Sequence, residues 1–273
     1  AAREQALRAA AAAEALDYQH GVVRALLAAA RAGLRTAADP AAGLEELQRA
    51  RALAEALADI QAEADACQLL GNAHVARSAH EPALEAYQRD LVLRRRLADG
   101  LGEAGALNNI GLVHRRMAQY PEALAYLLMS LEQAEAHGDL RAQAYALTNI
   151  GGVLADLGDA SPAMQYLLRG LEAIRATPDR AHEASALCAL GRLLKQTGHL
   201  AEAEAHMQQA LQLAQRHGSL TDTGEALLGL ALLQLQRGEP GRAERLLLEA
   251  LGLARRTGDR LAQAEVLLAM ART

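Results

Sequence analysis

The chain has 273 residues, 51% of them hydrophobic and 22% charged, which is enough apolar material for a sizeable core and excludes a disordered segment. A formal net charge of -5 and a pI near 6.0 exclude any general attraction to nucleic acid or to anionic membranes. Aromatics are 2% of the chain, Phe and Trp are absent, and the apolar mass is Ala and Leu, both strong helix formers, so the composition reads all-α.

Taken in order, residues 1–18 predict an Ala-rich N-terminal helix. Residues 24–63 form a degenerate repeat: Leu27, Leu47, Ala50 and an Asp39–Pro40 turn keep a register in which Arg31 and Gly43 stand where Gly and Ala are expected. From there the pattern sharpens into five units, 64–103, 104–143, 144–183, 184–223 and 224–259. Gly71, Gly111, Gly151 and Gly191 recur at a spacing of forty and are continued by Ala231. Ala83, Ala123, Ala163, Ala203 and Ala243 form a second series, and Leu91, Leu131, Leu171, Leu211 and Leu251 a third. Large residues run ahead of the small one, Leu107 and Ile110 in the second unit, at helical spacings.

Each unit therefore predicts two amphipathic helices. In the second unit helix A spans about 105–118 and helix B about 121–136. Gly158, Gly198 and Gly238 mark the turns between them, and Pro121, Pro162 and Pro240 sit at or near the first turn of helix B, where a missing N–H does no harm. Asp59, Asp99, Asp139, Asp179 and Asp259, with Ser219 filling the gap, follow each helix B and are suited to cap the next helix A. Small residues at Gly151 or Ala163 let the A and B backbones approach, so a bulky side chain there would splay the pair. Residues 260–273, with Leu267 and Met270 in phase, give one A helix without a partner. The missing initiator Met and the break in mid-pattern lead to the expectation of an excised segment of a longer chain.

The sequence carries no convincing active site. Gly100 to Gly105 fits GxGxxG literally, but it follows a helix instead of a strand and reads as an inter-repeat turn, without the strand and tight turn that a dinucleotide site needs. His199, Glu202 and His206 share a helix but lack a third ligand, so they read as a solvated surface, and His74 and His114 read as packing residues. Cys67 and Cys188 lie three repeats apart, too far for a disulfide, which leads to the expectation of reduced thiols in a cytoplasmic chain. No signal peptide opens the sequence and no run approaches the ~18 apolar residues of a membrane span. No cofactor, metal or catalytic residue is expected.

The order of Gly111, Ala123, Leu127 and Ser130, with Leu107 and Ile110 ahead of them, resembles the tetratricopeptide repeat over residues 64–257, in a longer forty-residue variant found in bacterial regulatory proteins and in some eukaryotic scaffold proteins. The resemblance implies an all-α, right-handed α-solenoid of about six stacked helix-turn-helix repeats with helical caps, whose A helices line a concave groove. It maps the inward positions onto Gln68, Asn72, Asn108, Leu112, Arg115, Arg116, Tyr145, Thr148, Asp156, Arg192, Lys195 and Gln196. Relatives grip a peptide's terminal carboxylate with Asn, Lys and Arg on successive A helices. Here Arg115, Arg116, Arg192 and Lys195 would form a basic sector, and Asn108 could bond a ligand's backbone. Asn109 and Asn149 stand where the repeat commonly has Asn, and read as amides satisfying backbone groups between units.

The function implied is a non-catalytic protein- or peptide-binding scaffold within a larger bacterial signalling or regulatory protein, with an acidic or carboxylate-bearing ligand as one expectation. Two alternatives stay open. A small-ligand sensor of a transcription regulator would need an aromatic-walled pocket, for which Tyr145 is placed. Self-association into a homodimer would use an end surface or the apolar run Leu227–Leu235. Neither nucleic acid nor membrane is an expected direct partner.

Overall fold

The structure, a computed structural model, describes residues 2–36, 43–177, 180 and 182–271. The Asp39–Pro40 turn and Asp179 lie outside them. Among the described residues the chain forms fourteen helices and no strand. These are α1 (Ala2–Ala15), α2 (Gln19–Thr36), α3 (Leu44–Ala56), α4 (Ile60–Ala76), α5 (His80–Arg96), α6 (Gly100–Arg116) and α7 (Tyr120–Ala136). They continue as α8 (Leu140–Leu157), α9 (Ala160–Arg175), α10 (Glu183–Gln196), α11 (Leu200–His217), α12 (Leu220–Gln236), α13 (Pro240–Thr257) and α14 (Arg260–Met270). Even-numbered helices form an A row and odd-numbered ones a B row. Each helix packs on its neighbours in sequence, and A helices also pack on one another at α2–α4, α6–α8, α8–α10, α10–α12 and α12–α14. Lateral packing in the A row is weakest between α4 and α6.

Turns recur every twenty residues because most helices, among the described residues, end on a residue in the left-handed region. Gly138, Gly158, Gly198, Gly218, Gly238 and Gly258 adopt it with φ between 65° and 87°. Ala58, Ser78, Ala98 and Ala118 adopt it too, with φ between 53° and 58°, without the glycine that makes it easy. The geometry closes the helix end twice: Ala118 donates its N–H to the Arg115 carbonyl at 3.0 Å and Gln119 donates to that of His114 at 2.9 Å. Five of the A helices, α4, α6, α8, α12 and α14, then start on a side-chain cap. Asp59, Asp99, Asp139 and Asp259 accept from the backbone N–H groups of Ala62, Gly102, Ala142 and Ala262 at 2.9–3.0 Å, and Ser219 accepts from Asp222. Those caps move the helix starts. Helix α6 begins at Gly100, five residues before the expected 105, so the three glycines of the literal GxGxxG are the first turns of a helix and not a turn between repeats. Capping and burial of Ala104 outweigh the poor helix propensity of glycine there.

Helix A meets helix B of the same unit at the recurring small residues. A Cβ on Gly111 or Gly151 would stand 2.7 Å from Cγ of Leu127 or Leu167, and one on Gly191 would stand 2.9 Å from Cγ of Met207. The carbonyls of Ala123, Ala163 and Ala203 would be 3.1–3.2 Å away, so backbone limits the space as well as side chain. Leu107, Ile110, Leu127, Ile150, Leu167, Leu187, Met207 and Leu233 are fully buried around these crossings. Each such side chain contributes on the order of 1.5–3 kcal/mol of burial. The run Leu227–Leu235, expected from the sequence as an association surface, is instead the middle of α12. Leu227, Leu230 and Leu233 are buried, while Leu228 and Leu232 face the concave cavity, so burial within one chain accounts for part of its apolar character.

One layer of the stack is charged. Position 90 falls in the register of Ala50, Ser130, Gly170, Ala210 and Ala250, where the B helix packs on the A helix of its own unit: Ser130 donates to the Ala104 carbonyl, and a Cβ on Gly170 would meet Thr148. Asp90 is fully buried, and Arg94 nearly so, at the centre of a cluster: Arg94 donates to Asp90 at 3.0 Å, to Asp99 at 3.0 Å and to Asp65 at 2.7 Å. The second Asp90 oxygen has no hydrogen-bond partner. Burial pushes the Asp90 carboxyl up from 3.8 to about 6, against the pull of Arg94.

Two predictions follow from the turns and from the charged layer. Ala118→Gly removes about 1–2 kcal/mol of left-handed strain and gives back about 0.4–1 kcal/mol through a looser unfolded chain. The variant should therefore gain between about 0 and 1.6 kcal/mol in urea unfolding; a loss would mean that the turn is not held in that conformation. For Asp90, the folded chain retains a proton that the unfolded chain has released between pH 3.8 and about 6. That contribution is complete below 3.8 and is lost as pH rises through about 6. The stability difference between the native chain and Asp90→Asn should accordingly change with pH across that window, the native chain losing ground as pH rises. A difference flat in pH would place the ionisation of Asp90 at its ordinary value.

Candidate functional site

The concave face is built by one stripe of each A helix. On α10 it carries Ser185, Ala189, Arg192 and Gln196, and on α12 Thr221, Glu225, Leu228 and Leu232, spaced four, three and four residues apart so that each set shares a helix face. With Leu112, Arg115 and Arg116 from α6, Asn149 and Asp156 from α8, and Leu261, Glu265 and Leu268 from α14, these stripes enclose a cavity of about 790 Å³. A smaller cavity of about 530 Å³ opens where α4 and α6 are parted. Asn72, Tyr87, Asn109 and Arg116 line one side of it, and Thr221, Thr257 and Asp259 come from the far end of the chain. The superhelix thus curves enough to bring its last repeats opposite its first ones. Tyr87 stands where the following units have Leu127, Leu167 and Met207; it is buried and donates its hydroxyl to Asn72 Oδ1 at 2.6 Å.

Of the residues mapped by resemblance, Leu112, Arg115, Arg116, Thr148, Asp156, Arg192, Lys195 and Gln196 border the larger cavity, and Asn72 borders the smaller one with Leu112 and Arg116. Asn108 and Tyr145 border neither cavity. Asn108 accepts a hydrogen bond from Asn149 Nδ2 at 2.8 Å, so Asn149 bonds a neighbouring side chain and lines the cavity, where the sequence suggested backbone groups. Tyr145 meets His182 edge-on, with ring centroids 4.3 Å apart, and the aromatic rings that line the cavities are Tyr120 in the larger and Tyr87 in the smaller. Thr148 has its Oγ1 buried close to Gly170 without a hydrogen-bond partner. His114 stacks on Tyr126 and contacts Gln119 at 2.7 Å, a packing role.

The basic sector is largely neutralised. Arg115 lies over the Cα of Gly152 and donates to Asp156 at 2.7 Å on the next A helix. Arg192 pairs with Glu225, again one A helix on. Sequence reasoning missed Glu225 and Glu265, although both fall in register with Ser185 at forty and eighty residues. Arg116 and Glu265 make no ion pair with another described residue. Glu265 touches solvent, yet protein rings it inside the concave face. Desolvation raises its carboxyl above the ordinary range, while Arg192 and Arg116 pull it back.

Tetratricopeptide repeat models match residues 102–176, 184–217 and 226–261. The chain belongs to the tetratricopeptide repeat family. No curated protein sequence matches it. Among solved structures, NprR in complex with its cognate peptide NprX is similar with a TM-score of 0.71 at 17% identity, over 90% of this chain and 72% of that one. A Rap protein complexed with Competence and Sporulation Factor gives 0.68 at 17%, over 97% and 77%. Aspartyl phosphate phosphatase F from Bacillus subtilis gives 0.71 at 13%, over 88% and 64%. At these identities the likeness is one of fold: tetratricopeptide-like helical solenoids.

The opposing pulls on Glu265 give a direct measurement. In a carboxyl-labelled NMR titration Glu265 should ionise above its ordinary 4.5, and Arg116→Gln should move it further up by removing a stabilising cation. An unmoved titration would show that Arg116 does not act across the cavity.

Proposed function

We propose that this tetratricopeptide chain is a non-catalytic peptide-binding module of a larger bacterial signalling or regulatory protein, holding an extended peptide in the cavity between α6 and α14. The observation that carries the reading is the cavity itself. Its volume of about 790 Å³ and its mixture of aliphatic wall with a few convergent amide and charged groups suit a ligand site. Asn149 and Gln196 stand where amides can meet a peptide backbone, and Leu228, Leu232 and Leu268 offer apolar contact to alternate side chains. The NprR and Rap structures, which are complexes with the peptide NprX and with Competence and Sporulation Factor, lend support from scaffolds of the same fold. Arg115 and Arg192 are committed to ion pairs and Asp259 to capping α14, an arrangement that favours holding over reacting. The phosphatase shares the scaffold, and a scaffold does not carry chemistry with it.

The test is solution selection of a randomised heptapeptide library on the chain. Enrichment is expected on the native chain and should disappear when Leu112→Trp and Leu228→Trp together fill the cavity, with helicity by circular dichroism retained. Peptides that still enrich on the filled variant would place binding elsewhere and defeat the reading.

A further inference from the structure

The charges lining the larger cavity can be sorted by whether they already have a partner. Arg115 is paired with Asp156 and Arg192 with Glu225. Lys195 has a contact of its own within the chain, and Asp259 is occupied as the N-cap of α14. That leaves one cation and one anion among the described lining residues, Arg116 on α6 and Glu265 on α14, neither in an ion pair. They sit four steps apart along the A row, on opposite walls of one space, with Leu112, Leu228, Leu232 and Leu268 among the aliphatic residues lining that space.

We infer that the peptide this cavity takes is one of mixed charge, presenting a cationic group to Glu265 and an anionic group to Arg116 with aliphatic residues between them. The inference rests on the peptide-binding reading above and changes its expected ligand, which the sequence alone had made acidic. A uniformly acidic peptide would bring its carboxylates against Asp156, Glu225 and Glu265. A uniformly basic one would meet Arg115, Arg116, Arg192 and Lys195. Like charges set together in a partly desolvated site are penalised, whereas a peptide that answers each free charge with its opposite meets no such penalty. The arrangement also fixes direction, because the two free charges differ in sign: the cationic end lies toward α14 and the anionic end toward α6. Arg116 borders both cavities, so the anionic end sits at the junction between them. The raised Glu265 carboxyl agrees with an anion partly desolvated by the surrounding protein and outside any ion pair.

Selection of a randomised heptapeptide library reads this directly when the enriched sequences are sorted by charge. On the native chain the enriched peptides should carry at least one Lys or Arg and one Asp or Glu separated by aliphatic residues. On Glu265→Gln the requirement for the basic residue should vanish while the acidic one stays, and on Arg116→Gln the reverse. A selected mixed-charge peptide should bind either variant about ten-fold more weakly than the native chain by fluorescence anisotropy. Both side chains are exposed and outside any ion pair, so ligand-free melting of the two variants should change by no more than the weak pull of Arg116 on Glu265 supplies. A large drop in melting would mean that the two residues already form a pair that stabilises the chain, and would overturn the inference. So would enrichment of purely acidic peptides, or variant affinities within about two-fold of native, while peptide binding itself would stand. Absence of any enrichment on the native chain would defeat both readings.

Discussion

The approach of helix A to helix B at a single small residue governs the rest of the molecule. Neither helix can bury its apolar stripe alone, and the only geometry that closes the core brings Gly111, Gly151 or Gly191 within contact of the facing Leu or Met and of the carbonyl behind it. Because backbone sets that distance, the crossing within a unit has little freedom, and small rotations from each unit to the next add up to the curve of the A row. Curvature in turn decides which residues face each other across the concave side. The exception shows the dependence. In the unit containing Gly71 the facing residue is Tyr87, a larger side chain whose ring would meet any added Cβ. The A row packs least tightly just there, between α4 and α6, and the smaller cavity opens beside that ring.

This hierarchy explains what could be read from the sequence. Spacings of forty carried by Gly, Ala and Leu report local packing, which repeats, and so the helix pairs, their order and the capping Asp series are all visible in one chain. Left-handed residues at Ala58, Ser78, Ala98 and Ala118 were legible only through their glycine counterparts in later units, because Ala carries no signal for that conformation. The starts of the A helices were set too late because three glycines in α6 looked like a turn, whereas the Asp99 cap and the buried Ala104 decide the matter in three dimensions. The curvature of the row was not legible at all. It is a sum of small rotations at each interface, and no residue type encodes it, so the placing of Thr221 and Asp259 opposite Asn72 had no signature along the chain.

The charges of the concave face lie between these cases. Arg115 and Arg192 were found because the resemblance assigns their positions to the groove, but reading cations alone suggested a basic surface. Their partners Asp156 and Glu225 stand about one repeat further on, at 41 and 33 residues, close enough to the period to be expected of side chains that reach across adjacent A helices. Running the register for acids as well as bases would have shown a balanced lining. Such balance has a physical reason: guanidinium groups set side by side within a cavity repel strongly when water is partly excluded, and interleaved carboxylates remove that cost.

Non-recurrence alone therefore does not mark a functional residue. Asp90 and Arg94 break the repeat as sharply as Arg116 and Glu265 do, yet they are buried and bonded to Asp65 and Asp99 inside the stack. No ligand can reach them without parting packed helices. Their departure from the small-residue pattern is a matter of how one interface is filled. Arg116 and Glu265 differ in lying on the concave stripe, open to the cavity and unanswered by any described neighbour. What separates a site from an idiosyncrasy of packing is the combination: a polar residue that does not recur, on the one face that the helix stack leaves open, with its charge still to be met.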